Sequence, residues 1–209
     1  VRACQQRAGG PKDPQNSPIQ HLRADAVVVA CGSYSAPLLR SVGLRVPIYP
    51  GKGYSATFAL RRPEAAPWVS TIDDAKKIAM SRLGDSLRVA GTIELSGWDL
   101  TLDSPLAQAR CHMLARRIET LLPGVCDTRL PHEGGQPQFW AGLRPATPTN
   151  IPLIGATPLA GLWLNAGHGT LGWTHGAGSG RALAALMSGE RPALSFRFLG
   201  ESGVPPELA

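Results

Sequence analysis

The sequence predicts a mixed α/β fold of two interleaved domains, and three observations carry that reading. A short run apolar throughout, Val-rich at 26–30, reads as a strand buried on both faces, of the kind found in a sheet covered by helices. Residues 47–95 change to alternating apolar and polar positions, the texture of an antiparallel meander. A strand, glycine-rich turn and helix then return near the end, at 162–189, which suggests that the first domain resumes after the second is complete.

Taken in order, the first 18 residues are polar and contain "GGPKDPQNSP", expected as an exposed loop or hairpin tip. "ADAVVVACGSYSAPLL" gives the buried strand, a turn at Gly32, and a short helix with Ser33 and Ser35 as available caps. "YSATFAL", "KKIAMSRL" and "SLRVAGTIEL" are the strands of the meander, the last two joined by the turn "GD". "SPLAQARCHMLARRIETLLPG" is an amphipathic helix with Ser104 as cap and Pro105 in the first turn. Its predicted apolar face is Leu106, Ala109, Met113, Leu114, Ile118 and Leu121, its polar face is arginine-rich, and Pro123-Gly124 stops it. Residues 145–180 contain no Lys, Arg, Asp or Glu, although charged residues make up 17% of the chain. Repeated Pro and Gly would break a membrane-spanning helix there, so the stretch is expected to line a buried cavity. "LWLNA" is a strand, and "THGAGSGRALAALMSGERP" a helix ended by Gly189 and Pro192.

Composition narrows the function classes. With 209 residues the chain is long enough to bury roughly 70% of its unfolded surface. The net charge of +6 comes from scattered residues and pairs such as Arg61-Arg62 and Lys76-Lys77, without the basic stripe or clustered basic helix that nucleic acid or an anionic membrane would need. Anionic small molecules remain compatible. Cys4, Cys31, Cys111 and Cys126 form no C-x-x-C pair and read as reduced thiols of a cytosolic protein. The histidines lack zinc-ligand spacing, so no metal is expected. The chain starts with Val1 and no signal peptide follows, which fits numbering that begins inside a longer protein.

Three motifs bear on chemistry. "GHGTLG", residues 167–172, matches the dinucleotide fingerprint G-x-G-x-x-G, yet the acid at the expected offset, Glu190, falls at a helix end and no second long strand follows. The pattern fails that context test, while its physics survives: glycines permit close backbone approach to a flat ligand, and the next helix directs free N–H groups at it. From glycine content alone, a close helix-strand packing turn is the favoured explanation. "GKGYSAT" and "GSYSAP" approach a nucleophile elbow but lack its last glycine, leaving a serine hydrolase as a weak alternative. Arg144 in "FWAGLRPATPTNIPLIG" is the only charge between Glu133 and Arg181. A guanidinium so placed should pair with a ligand carboxylate, its best geometric match, or with a structural Asp or Glu.

"ADAVVVACGSYSAPLL", "VPIYPGKGYSAT", "VAGTIELSGWDL", "WAGLRPATPTNIPLIG" and "LWLNAGHGTLGWTHGAGSGRALAALMSG" follow one another in an order that closely resembles the C-terminal half of the bacterial D-amino-acid dehydrogenases, within the D-amino-acid oxidase/glycine oxidase superfamily of FAD-dependent enzymes. The likeness covers about residues 20–195. It implies part of a glutathione-reductase-type FAD-binding domain, 1–46 and 139–209, interleaved with an antiparallel substrate-binding domain, 47–138. It also implies an N-terminal half, carrying the fingerprint for the ADP part of FAD, that this chain lacks and that would have to be supplied as a missing segment or subunit. By the same resemblance Gly167, His168, Gly169, Thr170, Leu171 and Gly172 line the flavin ring, with His168 also on the catalytic side. Ala30, Cys31 and Gly32 lie near the cofactor's phosphates and ribityl chain, Arg144 clamps the substrate carboxylate, and Tyr54 touches the substrate. The implied reaction oxidises a D-amino acid to an imino acid, which water hydrolyses to a 2-oxo acid and ammonia. Electrons pass to a respiratory acceptor, in the bacterial cytoplasm at the inner face of the membrane. Glycine, sarcosine or proline-like amines are alternative substrates, and a non-catalytic truncated subunit is the alternative role.

Overall fold

The structure is a computed structural model, and it describes residues 2–3 and 20–200. The "GGPKDPQNSP" loop, Cys4 and the last nine residues lie outside the described residues. The chain divides into two compact units, Val1–Pro47 with Ile151–Ala209, and Ile48–Asn150.

In the first unit, β1 (Arg2–Ala3) pairs antiparallel with β2 (Gln20–His21). β3 (Val27–Val29), β9 (Leu153–Ala156) and β10 (Leu162–Ala166) form a separate sheet in the order β3-β10-β9, parallel between β3 and β10 and antiparallel between β10 and β9. A turn at Gly32 with φ 55 leads from β3 into α1 (Ser35–Arg40). A second turn leads from β10 into α3 (Gly172–Met187). Ile154 of β9, Ala182 and Leu183 of α3 and the later Phe198 are buried together.

Three expectations need correction here. Val29 is buried but Val28 is 40% exposed, because β3 is an edge strand with one face uncovered among the described residues. Ser35 is not a cap: it is the first residue of α1, and its hydroxyl accepts a hydrogen bond from the Cys31 N–H, bracing the turn rather than the helix. Among the described residues, part of the uncharged 145–180 stretch lines an open cleft rather than the expected buried cavity. Pro152, Ile154, His168 and Ser179 face an open cleft of about 330 Å³ with Phe196 and Phe198, while Trp173 and Gly176–Gly178 are exposed.

The second unit is one antiparallel sheet under one helix. β4 (Tyr49–Ala59), β5 (Thr71–Asp73), β6 (Ile78–Leu83), β7 (Ser86–Glu94) and β8 (Gln138–Ala146) run in the order β5-β6-β7-β4-β8. The "GD" turn joins β6 to β7, with Gly84 at φ 59. β8 pairs with β4 from Tyr49↔Ala146 to Thr57↔Gln138, so it belongs to this unit. The second boundary therefore falls after Asn150, not at the expected 138/139, because ladder pairing outweighs the change in composition.

α2 (Pro105–Leu121) starts where predicted, with Ser104 Oγ accepting from the Ala107 N–H at 3.2 Å. Its buried face is Ala107, Cys111, Leu114, Ala115 and Ile118, whereas Leu106 and Leu121 are exposed. Small residues let the helix approach the sheet closely, so the packed stripe is rotated from the one that large apolar residues mark. Tyr54, Ala56, Phe58, Ile78, Leu87 and Val89 complete this core. The arginines of the outer face return to the sheet: Arg110 pairs with Glu94 at 3.1 Å and Arg117 with Asp73 at 2.5 Å. Among the described residues no helix is long and apolar enough to cross a membrane.

Candidate functional site

The second unit carries an arginine-bearing sheet face. Side chains on β8 alternate, so Trp140, Gly142 and Arg144 share one face. Gly51, Gly53 and Ser55 of β4 share the matching face, since Gly51 pairs with Arg144 and Gly53 with Gly142. The glycines leave room for the side chains that lie on them. A Cβ at Gly53 would overlap the Arg144 guanidinium, one at Gly142 the Trp140 ring, and one at Gly51 the Ile93 side chain. Two glycines two residues apart in a strand were the signal that something lies flat across it.

Arg144 Nη1 donates to the Thr92 carbonyl at 2.5 Å. Among the described residues no carboxylate lies within salt-bridge distance of Arg144, so none of them is its ion-pair partner. Burial alone pushes its pKa below the ordinary arginine value, and a guanidinium stays charged through such a shift. Arg88 lies on the same face, its guanidinium 5.6 Å from the Trp140 ring centre and donating to Ser55 Oγ at 3.1 Å. Among the described residues neither guanidinium on this face is paired with an acid, an arrangement that is chemically able to receive an anion.

Tyr54 belongs to the opposite face. It is 1% exposed, its hydroxyl donates to Glu94 at 2.5 Å, and Arg110 shares that carboxylate. Burial first, then Glu94, raises its pKa well above the usual tyrosine value, so it is a protonated core donor. The expected substrate contact is corrected by strand alternation: Gly53 and its neighbour Tyr54 point to opposite sides. Lys52 on that inner side is also fully buried, donating to Asp99 at 3.2 Å and to the Thr101 carbonyl at 2.6 Å.

The first unit carries two turns at one sheet end. β3 and β10 are parallel, with Val27↔Leu162 and Val29↔Leu164 in register. Ala30-Cys31-Gly32 and Gly167–Gly172 therefore both follow the carboxyl ends of adjacent parallel strands, the end of an α/β sheet at which ligands bind. Ala30 and Cys31 are exposed, and Gly32 and Gly169 have φ 55 with open space where a Cβ would be. Gly167 has φ 83 and is buried. Thr170 and Leu171 are exposed, and Gly172 begins α3 without a side-chain cap, leaving its first N–H groups free of one.

Two buried polar atoms there have no hydrogen-bond partner, Asn165 Oδ1 and His168 Nε2. Burial, and then His175 with its ring centre 6.5 Å away, lowers the His168 pKa from the ordinary imidazole value. Open glycine backbone, uncapped helical N–H groups, a neutral imidazole and the absence of acid in 145–180 fit a flat, electron-rich group such as the flavin of FAD. The elbow serines do not fit a hydrolase: Ser35 accepts from Cys31 N–H and Ser55 from Arg88, and neither is hydrogen-bonded to a histidine among the described residues.

The chain is similar to proteins of known sequence and structure. The chain is 49% identical over 180 residues to a D-amino acid dehydrogenase of Dechloromonas aromatica, covering 86% of this chain and 41% of that protein. It is 46% identical over 185 residues to another of that name from Cereibacter sphaeroides, covering 88% and 40%. The chain thus spans about two fifths of the length of the curated relatives it matches. Among solved structures it is similar to iminodiacetate oxidase from Chelativorans sp. BNC1, with a TM-score of 0.69 and 27% identity over 86% of this chain and 46% of that one. It is also similar to glycine oxidase from Geobacillus kaustophilus, with a TM-score of 0.66 and 25% identity over 82% and 44%. The family model for FAD-dependent oxidoreductases of the DAO type matches residues 2–186, and the chain belongs to that family.

Proposed function

We propose that this chain forms the carboxylate-binding and flavin-facing part of an enzyme that oxidises D-amino acids to imino acids, hydrolysed by water to 2-oxo acids and ammonia. The observation that carries this reading is Arg144: a guanidinium laid flat on Gly53, held by one backbone carbonyl and matched by no acid among the described residues. It clamps the substrate carboxylate and so orients Cα. The Gly167–Gly172 turn and the start of α3, which has no side-chain cap, hold the flavin ring, while Ala30, Cys31 and Gly32 hold the chain that links it to the nucleotide. FAD, when bound there, would supply the acceptor for the hydride that leaves Cα, and a respiratory acceptor would take the electrons on. His168, kept neutral, offers a hydrogen bond without placing a positive charge beside the ring. The 46–49% identity to proteins named D-amino acid dehydrogenase supports D-amino acids as the substrate class.

The remaining three fifths of the relatives' length corresponds to a separate or preceding polypeptide that completes the FAD site. The complete protein acts in the bacterial cytoplasm, peripherally at the inner membrane.

The test is kinetic, in the protein completed with the remaining part of a relative. Charge-assisted hydrogen bonds are worth about 1.5–3 kcal/mol each, so Arg144→Ala should raise KM for D-alanine by roughly 10–150-fold in a dye-reduction assay. An unchanged KM removes Arg144 from the site. Faster turnover of glycine, sarcosine or proline than of D-alanine moves the substrate class within the family, and lack of turnover after completion makes the chain a non-catalytic subunit.

A further inference from the structure

We infer that Thr92 is a positioning residue for Arg144: the bulge it makes in β7 turns its carbonyl out of the ladder and fixes the orientation in which the guanidinium meets a carboxylate. This rests on the reading of Arg144 as the carboxylate clamp. Lys52 of β4 pairs with Glu94 and Tyr54 with Gly91, so Thr92 and Ile93 together oppose the single residue Gly53. Pairing is regular from Tyr54↔Gly91 to Ala59↔Ser86 and resumes at Lys52↔Glu94, so the extra residue is confined to this one place in the ladder.

Thr92 has φ 59, a left-handed conformation in which a β-branched side chain is an outlier and glycine would be at ease. Its side chain does not account for its presence, because Oγ1 is buried without a hydrogen-bond partner. What the bulge accomplishes is the carbonyl contact: Thr92 O accepts from Arg144 Nη1 at 2.5 Å, while Gly53 leaves room for the guanidinium to reach it. One of the five N–H donors is thereby tied to the sheet, and the fork is held in one plane. Bulges beside functional sites commonly re-aim a group in this way.

Deleting Thr92 removes the bulge and keeps both flanking pairings, whereas Thr92→Gly keeps the carbonyl and relaxes the backbone. NMR of the Arg144 guanidinium in this chain reads the rate of rotation about Nε–Cζ. The deletion should speed it about tenfold, ~1.4 kcal/mol, and Thr92→Gly should leave it as in the wild type. Equal rates in the wild type and a folded deletion variant overturn the proposal, as does fast rotation in Thr92→Gly. If the deletion does not fold, Gly53→Ala carries the test by displacing the guanidinium from the intact bulge. It should free the rotation similarly, and slow rotation there overturns the proposal. Titration with sodium acetate separates this role from the clamp. Acetate should shift the Arg144 resonances in the wild type, with about tenfold weaker affinity in the deletion variant. Rotation freed by the deletion with no response to acetate in the wild type retains the positioning role and removes the carboxylate reading. An acetate response of equal affinity in both proteins retains the clamp and overturns Thr92.

Discussion

His168 shows how one side chain couples the Gly167–Gly172 turn to pH. Its Nε2 is buried without a partner, and burial followed by His175 holds its pKa below that of a free imidazole. The unfolded chain takes up a proton at this residue near pH 6.5, while the folded chain resists doing so. Below that pH the unfolded state binds more protons, so stability present at neutral pH is lost as the pH falls. His168→Gln should therefore flatten the decline in Tm between pH 7 and pH 5, and an unchanged slope would show that His168 contributes nothing to it. Legibility at this scale depended on charge and on strand phase. Arg144 was conspicuous as a lone charge in a long neutral stretch, but nothing in "GKGYS" says which of Gly53 and Tyr54 faces it until the register with β8 is known.

Among the elements, α2 combines a legible boundary with an illegible face. Ser104 is its cap by sequence and by geometry, and replacing it with Ala removes an acceptor for the Ala107 N–H at the head of the helix that covers the sheet. Ser104→Ala should cost about 1 kcal/mol, read as a lower urea midpoint at unchanged slope. A midpoint equal to that of the wild type would mean that solvent serves this N–H as well as the serine does. The buried stripe of Ala107, Cys111 and Ala115 was hidden because small residues carry a weak hydrophobic signal, although tight packing on a sheet selects them. The strands were legible from alternation and the β6–β7 turn from Gly84, whereas the bulge at Thr92 was not. A β-branched residue gives no warning of a left-handed backbone.

At the scale of the whole molecule, the most informative feature is surface left uncovered. α3 is uncharged from Gly172 to Gly180 and exposed from Trp173 to Gly178, with Trp173 fully open to solvent and open space beside Gly176, Gly178 and Gly180. Val28 is exposed on the edge strand of the same unit. A helix so neutral and glycine-rich gains little from water, yet glycines allow another backbone to approach closely. The relatives carry more than twice this chain's matched length, and their additional polypeptide is the occupant we expect on this face. Adding the corresponding part of the Dechloromonas aromatica relative together with FAD should slow hydrogen exchange across 172–180, shift Trp173 emission to the blue and raise Tm, because binding only the folded state stabilises it. Gly178→Trp should abolish these changes while leaving the Tm of the chain alone within about 1 °C, because the position faces open space and exposed substitutions away from special features usually change stability little. Trp173 emission that stays unshifted in a complex that nonetheless forms would place the partner elsewhere and leave the neutral face of α3 without an explanation.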